Sequence, residues 1–523
     1  MLSLINASIA SLLISFGGAS SAVCLAMILV LAMENCGFRT RRWIDSWLLG
    51  TLFVPTFVIA GAWTAGFGLQ GLWPSWLPGF SPVNVAGKPI FSALIVIWIY
   101  AVTLLPLALV LLRLGFRASN FSAWTLARME GGFWAGVCCG LLPTAASWIS
   151  VTVGVLAGLI STDMFVTNLF QVNTLTERSY QDLVSGQDPI ATIAGSTLLS
   201  WSLILLLQKN LLSRMNHFPA TVDQVPQTSL MHRSFATRLF SSAILFAIVG
   251  ALTIVPWTNL VLKAGWAVRE LPTTKSQPIA SAESANLMQG EKLIERRWSL
   301  SQTIQSVLEA PGRFSDEFYW SACLVVSASI LATLAGLLIA VAMQRSPVFF
   351  RRIAVYVMAA IFFLPGPTVN QIVLCLMQQE WLVWWNDHTL LAPVLCLQFR
   401  LIPIVVAWSF WFIGQWSYRY HHTWTIDDSL PIRSKLQILR IPVGWSVAQL
   451  WLILVLVSFS DLSTYMLCLP PGVTTISMRV FDLLHYGVRF QEAGLLLFIA
   501  VMGLGVGFLF VILSKTREED AWL

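Results

Sequence analysis

The sequence has few charged residues, and this scarcity limits its class. Only 11% of its 523 residues are Asp, Glu, Lys or Arg, whereas a soluble globular domain has about 25%. Hydrophobic residues make up 57% of the chain, and the mean hydropathy is +0.74. The composition therefore excludes a soluble globular protein and predicts an integral membrane protein.

Several motifs of enzymes and metal proteins are also missing. The only Gly-Lys pair, Gly87-Lys88, is followed by proline, so no Walker loop for ATP is present. The sequence has no HExxH or GxSxG motif and no carboxylate cluster within its apolar stretches. Its eight cysteines include no CxxC pair, which argues against a zinc site or a disulfide framework. We therefore expect no catalytic activity, no metal and no cofactor.

What the chain does have is a series of long apolar stretches. A membrane-spanning helix needs about 20 mostly apolar residues, and the alternating strands of a membrane barrel do not appear in the sequence. The prediction is an all-α polytopic membrane protein with about eleven transmembrane helices. These stretches are 9–32, 47–67, 90–112, 136–160, 191–208, 237–257, 319–343, 354–378, 389–413, 444–467 and 492–513.

Basic residues predict how the spans are oriented. Of the 31 Lys and Arg, 19 fall in loops on one side, four in the short loops on the other, seven in the long loop 258–317, and Arg400 within a span. The side rich in basic residues is expected to be cytoplasmic, which places the N-terminus outside and the C-terminus inside. No Lys or Arg precedes Arg39, so the first span is expected to be retained rather than cleaved as a signal peptide. This asymmetry accounts for the net charge of +6, and we expect no affinity for nucleic acid.

Sequence anchors recur with offsets of 297 to 299 residues and predict an internal repeat. The first half is expected to cover 1–208 with five spans, a cytoplasmic linker 209–236, and the second half 237–523 with six. Repeats of equal orientation predict a pseudo-twofold axis along the membrane normal, with a pathway between the halves. The anchors pair Thr103–Pro106 with Arg400–Pro403, Leu142-Pro143 with Ile441-Pro442, and Thr162-Asp163 with Ser460-Asp461.

The long outer loop 258–317 is the only large hydrophilic segment. Its stretch from Glu291 to Leu308 has the pattern of an amphipathic helix that lies on the outer surface. The loop is too small and too poor in apolar residues for a separate domain. We expect it to act as a cover or a docking element.

The cytoplasmic loop before the fourth span has Ala127, then Gly131, then Leu142-Pro143. This order resembles the EAA loop of ABC-transporter permeases, although Thr125 stands where that family usually has Glu. The Gly-to-Pro spacing is also one residue shorter than the family pattern. A second copy places Ser429 thirteen residues before Pro442, where the family has Gly, and its preceding residues are Asp427 and Asp428.

The resemblance extends to outer loops and to helix starts marked by proline. These segments are similar to fused permeases of the iron(III), thiamine and polyamine type, which more often have twelve spans. The matching segments are Val54-Pro55, Asp163, Asn168–Val172, Thr176–Arg178, Leu364–Pro367, Ser460–Thr464, Leu469–Thr475 and Leu483–Gly487.

This resemblance implies the permease subunit of an ABC importer in a bacterial cytoplasmic membrane. Its partners would be cytoplasmic ABC ATPase subunits, expected as a homodimer, and an outer substrate-binding protein. The solute would be small, with iron(III) as the first expectation and thiamine or a polyamine next. An inner loop with a tight turn at Gly131 would serve as a coupling helix, and the alternative is an ordinary helix connector. The expected coupling residues are Thr125, Ala127, Arg128, Glu130, Gly131, Asp427, Asp428 and Ser429.

Candidate residues for the translocation pathway lie within or at the outer ends of the spans. A cation such as Arg400 in the hydrocarbon normally faces protein or water, so we expect it to face the interior between the halves. Asp461 or carbonyls near Pro365 are its expected partners, and an ion pair or a packing role is favoured over contact with an anionic solute. Asp163 and Asp461 sit at equivalent helix ends, where hydrogen bonding at the helix end is favoured over iron ligation. Pro55 and Pro365-Gly366-Pro367 are expected to kink or interrupt spans 2 and 8.

Two other functions stay open. A secondary active transporter would also be repetitive and polytopic, but it is expected to carry acidic ion ligands within its spans. A polytopic membrane enzyme would need an acidic or histidine cluster at the membrane boundary, where the 469–491 loop offers only Asp482 and His485.

Overall fold

The described residues of the chain form helices, apart from their connecting loops and one short two-stranded ribbon. The computed structural model describes residues 2–34, 36, 38–67, 71–72, 89–118, 121–215, 235–270, 294–426, 432–485 and 490–515. The ribbon pairs strand β1 (Trp266–Glu270) with strand β2 (Ile294–Trp298) in antiparallel register, with Trp266 opposite Trp298. The all-α prediction is thus correct for the described residues except at this hairpin.

Among the described residues, nine helices precede the segment that was expected to link the halves. The last of them continues to Met215, and the expected linker residues 216–234 lie outside the described part of the chain. The helices are α1 (Leu2–Glu34), α2 (Phe38–Thr51), α3 (Thr56–Phe67), α4 (Pro89–Ala118), α5 (Phe121–Ala135), α6 (Leu142–Thr162), α7 (Phe165–Leu169), α8 (Leu175–Ser185) and α9 (Ile190–Met215).

Eleven further helices follow in the described residues. They are α10 (Phe235–Val249), α11 (Val255–Ala264), α12 (Leu300–Arg313), α13 (Ser315–Arg345), α14 (Val348–Phe362), α15 (Gly366–Met377), α16 (Val383–His388), α17 (Leu391–Ile426), α18 (Ile432–Ser460), α19 (Ile476–His485) and α20 (Phe490–Lys515). A π-helical turn, Gly136–Leu141, joins α5 to α6, and another, Gly250–Ile254, joins α10 to α11.

Seven helices in the described residues are long and apolar enough to cross a membrane. Two further pairs, α2 with α3 and α14 with α15, pass the same test together but bend by 97° and 99°, so the count is nine if each pair is one span. The seven are Leu4–Met33, Ser92–Arg113, Ala145–Thr162, Leu239–Ala264, Ser315–Arg345, Leu391–Phe410 and Phe490–Ile512.

The expected total of about eleven differs from this count in two places. The stretch 444–467 corresponds to a shorter apolar helical segment, Ser446–Ser460. The stretch 191–208 lies in helix α9, which is outside the set of seven. The stretch 191–208 is helical throughout and the stretch 444–467 is helical up to Ser460, but neither passes as a full span among the described residues.

The helices pack around one continuous apolar core. Helix α1 packs on α4 and α6, and helix α13 packs in the same way on α17 and α18. The two bent pairs make the connections between the first and second parts of the chain. Helix α3 reaches across to α19 and α20, while α15 reaches back to α8 and α9.

Two sequence expectations about local structure were wrong. The stretch from Glu291 to Leu308 was expected to form one amphipathic helix, but strand β2 occupies Ile294–Trp298 and the helix begins only at Leu300. Ser299 caps this helix by accepting a hydrogen bond from the backbone N–H of Gln302 (3.2 Å). The inner helix α5 does not stop before Leu142-Pro143, since the π turn carries it directly into α6. Pro143 fits there because the first turn of a helix needs no backbone N–H from proline.

Candidate functional site

Arg400 lies on helix α17 and is 5% exposed. Its Nε donates to Asp461 Oδ2 at 3.3 Å and to Thr464 Oγ1 at 3.5 Å, and its terminal nitrogen donates to the carbonyl of Phe362. The guanidinium also lies over the Phe362 ring, 5.7 Å from its centroid. A buried guanidinium is tolerated when its donors are satisfied and its charge is paired, and these contacts meet both needs. Asp461 is one of the partners expected from the sequence.

Asp461 caps the end of helix α18 and organises the loop that follows. Its Oδ1 accepts from the Thr464 backbone N–H (3.2 Å) and the Ser463 hydroxyl (3.1 Å), and its Oδ2 accepts from the Thr464 hydroxyl (2.5 Å). The carboxylate is 16% exposed. It therefore connects the Arg400 charge to a fixed turn at the helix end, as the helix-end interpretation expected.

Asp163 occupies the corresponding place at the end of helix α6. Its Oδ1 accepts from the backbone N–H of Phe165 at 3.0 Å, and its Oδ2 accepts from the Tyr100 hydroxyl at 2.9 Å. Asp163 lies close enough to Asp461 and Arg400 for each charge to affect it. The structure thus places the partly buried Asp163 within electrostatic range of the Arg400–Asp461 ion pair.

The bend at Pro365 lies next to this ion pair. A Cβ on Gly366 would lie 2.4 Å from the backbone oxygen of Ser463, so only glycine fits this approach. Asn370, which is fully buried, donates to the same Ser463 oxygen at 2.9 Å and to Gly366 O at 3.1 Å. The expected interruption of spans 2 and 8 at Pro55 and Pro365 is therefore present, and the second bend is held against the Asp461 turn.

Contacts between the two parts of the chain surround the bends. Phe57, just after Pro55, packs against Phe165 and Phe459 with ring centroids 6.2 and 6.0 Å apart. After the second bend, the hydroxyl of Thr368 on α15 lies 3.2 Å from the hydroxyl of Thr197 on α9. The residues after each bend thus reach helices from the other part of the chain.

A second polar cluster joins α7 and α8 to α19. Asn168 Nδ2 donates to Glu177 Oε1 (3.1 Å), and Asn168 Oδ1 lies 2.8 Å from His485 Nε2. His485 Nδ1 lies 2.8 Å from the Phe481 carbonyl, so both ring nitrogens lie within hydrogen-bond distance of an oxygen atom. Glu177 also accepts from Gln181, while its Oε2 is buried without a partner.

Burial is the largest influence on the carboxyl groups of this second cluster. It raises the pKa of Glu177 to about 7, against the opposing effect of the Asn168 and Gln181 hydrogen bonds. Burial also raises the pKa of Asp482, and the nearby His485 and Arg479 act in the opposite direction. The charge of Glu177 therefore changes near neutral pH.

The expected coupling loop forms helix α5. Thr125, Ala127, Arg128, Glu130 and Gly131 lie on it, but the left-handed backbone is at Gly132 (φ 79°, ψ −170°), not at Gly131. Arg128 packs over the Trp124 ring, 5.2 Å from its centroid. Leu126 and Met129 are 60% and 71% exposed. Asp427, Asp428 and Ser429 lie outside the described residues.

Sequence reasoning missed several members of these clusters. Tyr100 and Asn370 were overlooked, although a lone polar residue in an apolar span is a signal that it has a buried partner. No sequence signal placed Asn168 beside His485, because 317 residues separate them. Among the described residues there is no group of three or more His, Cys, Asp or Glu that could hold a metal ion.

The helices, their lengths and their apolar surfaces define a multi-pass membrane protein. Comparisons of the chain with protein-family models, curated proteins and solved structures find no match.

Proposed function

We propose that the chain is the membrane-spanning permease subunit of an ABC importer, built from two repeated halves. A separate cytoplasmic ATPase, acting as a homodimer, would supply the energy, and an outer binding protein would deliver the solute. The N-terminus would lie outside a bacterial cytoplasmic membrane and the C-terminus inside. We choose the class of ABC importer permeases from the motif resemblance. Three features of the structure support this choice: the bent spans, the matching hydrogen bonds and helix α5.

The observation that carries the proposal is the pair of bent spans. They break at Pro55 and Pro365 with nearly equal angles, 97° and 99°. After each break the helix packs on the other half, α3 on α19 and α20, and α15 on α8 and α9. These contacts are reciprocal, because one bent span of each half packs on helices of the other half. Reciprocal contacts are expected when two repeats are related by a pseudo-twofold axis. In this arrangement a pathway would run between the halves.

Matching hydrogen bonds also support the repeat. The Ser11 hydroxyl on α1 accepts from the Leu175 N–H at 2.8 Å, and the Ser321 hydroxyl on α13 accepts from the Ile476 N–H at 2.8 Å. Both bonds tie a long apolar helix, α1 or α13, to the start of a short helix that follows it in the same half, α8 or α19. Asp163 and Asp461 likewise cap equivalent helices, and in the proposed transporter the cluster of these residues with Arg400 would line the route beside Pro55, Pro365 and Gly366.

Helix α5 has the features of a docking element on the cytoplasmic side. Two large apolar side chains, Leu126 and Met129, are exposed next to the break at Gly132, and neighbouring exposed apolar groups are typical of contact surfaces. We assign this surface to the ATPase. Ala127, Arg128, Glu130 and Gly131 lie on the same short helix and would belong to the coupling element.

The solute is proposed from the resemblance alone, with iron(III) first and thiamine or a polyamine next. A metal ion in this role would be cargo. The chain itself would carry out no covalent chemistry.

The first experiment asks whether an ATPase binds at α5. The tagged chain is purified from its host membranes in mild detergent, and associated proteins are identified by mass spectrometry. We expect a Walker-type ATPase with the wild type and its loss with Met129→Glu. The control Val184→Glu changes an equally accessible residue on α8 and should retain the ATPase. Absence of any ATPase from the wild type would count against the proposal.

A secondary active transporter is the second candidate, because Glu177 is a buried carboxyl group at the junction of the halves with a pKa of about 7. Such a group could bind and release a proton during transport. In that case an imposed proton gradient would drive solute uptake without ATP, and Glu177→Gln would abolish it.

A further inference from the structure

Helix α12 (Leu300–Arg313) has three faces of different character. Its small residues Thr303, Ser306 and Ala310 are buried against the rest of the protein. A stripe of large apolar residues is exposed instead, with Leu300 at 56%, Ile304 at 53% and Leu308 at 74%. A polar stripe, Ser301, Gln305 and Glu309, is exposed beside it.

This arrangement is the reverse of a helix on a soluble protein, which buries its large apolar residues. Small residues at the contact let α12 approach closely, since a Cβ on Gly494 would lie 2.7 Å from the Ser306 backbone oxygen. Close packing through small residues is typical of helices surrounded by lipid.

The position of α12 fixes its depth relative to the spans. At its start, Ser299 N–H donates to Gly265 O (3.0 Å) and the Thr303 hydroxyl donates to Val261 O (3.3 Å), at the end of the span Leu239–Ala264. At its middle, Ser306 lies against Gly494, near the start of the span Phe490–Ile512. At its end, Arg313 comes two residues before the span that begins at Ser315.

Helix α12 therefore crosses the ends of three spans on one side of the protein. The ends of spans mark the level at which the hydrocarbon gives way to lipid headgroups. A helix lying across that level meets acyl chains on one face and water on the other. Trp298, directly before the helix, is 42% exposed, and indole side chains favour this boundary.

We propose that α12 is an interfacial membrane helix whose stripe Leu300, Ile304 and Leu308 inserts among the acyl chains of phospholipids. Its Gln305 and Glu309 side chains, joined by a 2.7 Å hydrogen bond, face the headgroups and water. On the span α13, which follows directly, Val326 and Ile330 are also exposed, as expected for a helix with a lipid-facing side. The inference concerns lipid contact and does not depend on ATP-driven transport.

Depth-dependent quenching tests this placement. An environment-sensitive fluorescent amino acid replaces Ile304 or Gln305 in the full chain, which is reconstituted in phosphatidylcholine nanodiscs. Lipids with brominated acyl chains should quench the probe at position 304 about threefold more than at 305, and aqueous iodide should show the opposite preference. A third variant, with the probe at Leu308, repeats the apolar measurement should the change at Ile304 prevent folding.

Other outcomes would overturn the inference. Equal quenching of both positions by iodide would place the stripe in water. Shielding of positions 304 and 308 from both quenchers would show that protein covers the stripe, either the segment 271–293 or a second copy of the chain.

Discussion

Arg400 and Asp461 form a buried charge pair. Changing Arg400 to Met should leave the Asp461 carboxylate buried without its counter-ion, and breaking a buried pair from one side costs about 3 kcal/mol. We expect a lower thermal unfolding midpoint for the purified protein in detergent. The double variant Arg400→Met with Asp461→Asn should recover part of the loss, because it removes the orphaned charge.

The matched control for this prediction is Arg345→Met. Arg345 is exposed at the last turn of α13, so its removal should leave the midpoint nearly unchanged. Equal effects of the two arginine substitutions would show that the Arg400 pair has no special role.

Glu177 gives the stability of the polar cluster between α8 and α19 a pH dependence of known sign. Its pKa rises from 4.5 to about 7 on folding, so the folded state binds the proton more tightly than the unfolded state. This contribution to stability is complete below pH 4.5 and is lost as the pH rises through 7. A shift of this size corresponds to roughly 3 kcal/mol.

Glu177→Gln should flatten this dependence. Between pH 5 and 8 the wild-type unfolding midpoint should fall more steeply than that of the variant, while the exposed control Glu309→Gln should follow the wild type. Identical pH profiles for wild type and Glu177→Gln would contradict the prediction.

Among the helices, the break in α5 at Gly132 is the feature most directly tied to the proposed coupling. Alanine at φ 79° and ψ −170° is strained by about 1–3 kcal/mol, although a Cβ there would meet no neighbouring atom. Gly132→Ala should therefore straighten or distort the loop and reduce the stimulation of ATP hydrolysis, with little loss of folded protein.

The control for the α5 break is Gly505→Ala. Gly505, like Gly132, has free space for a Cβ, but it lies in the regular helix α20. This variant should keep normal ATP turnover. If Gly132→Ala retained the full stimulation of ATP hydrolysis, the break at Gly132 would not be part of the coupling element.

The bend before α15 depends on the close approach of Gly366 to Ser463. A Cβ at Gly366 would lie 2.4 Å from backbone atoms of the Asp461 turn, so Gly366→Ala should force the bend and the turn apart. Overpacking of this kind costs about 1–3 kcal/mol. The measurement is the thermal midpoint, and a midpoint equal to that of Gly505→Ala would contradict this account of the bend.

At the scale of the whole molecule, much of the fold could be predicted from apolar length and proline position. Proline interrupts the backbone hydrogen bonding of a helix, which predicts the bends at Pro55 and Pro365. A charged side chain within a span needs a partner, which predicts the pair formed by Arg400 and Asp461. The π-helical continuation through Pro143 and the choice of Gly132 over Gly131 could not be predicted, because neighbouring glycines offer the backbone the same freedom.

Long-range contacts were the least predictable part of the site. The position of Asn168 next to His485, and of Tyr100 next to Asp163, depends on how the helices of the whole protein pack. The stretch from Glu291 to Leu308 was predicted as one amphipathic helix, but among its described residues the Ser299 cap separates the strand Ile294–Trp298 from a helix that begins at Leu300.

ATP turnover by the purified complex tests the central claim most directly. The tagged chain and its associated proteins are placed in nanodiscs, and ATP hydrolysis is measured with and without a soluble fraction from the outer compartment. We predict that the fraction increases turnover severalfold and that Gly132→Ala removes the increase. Solute uptake driven by a proton gradient alone, with no ATPase bound to the chain, would contradict the account.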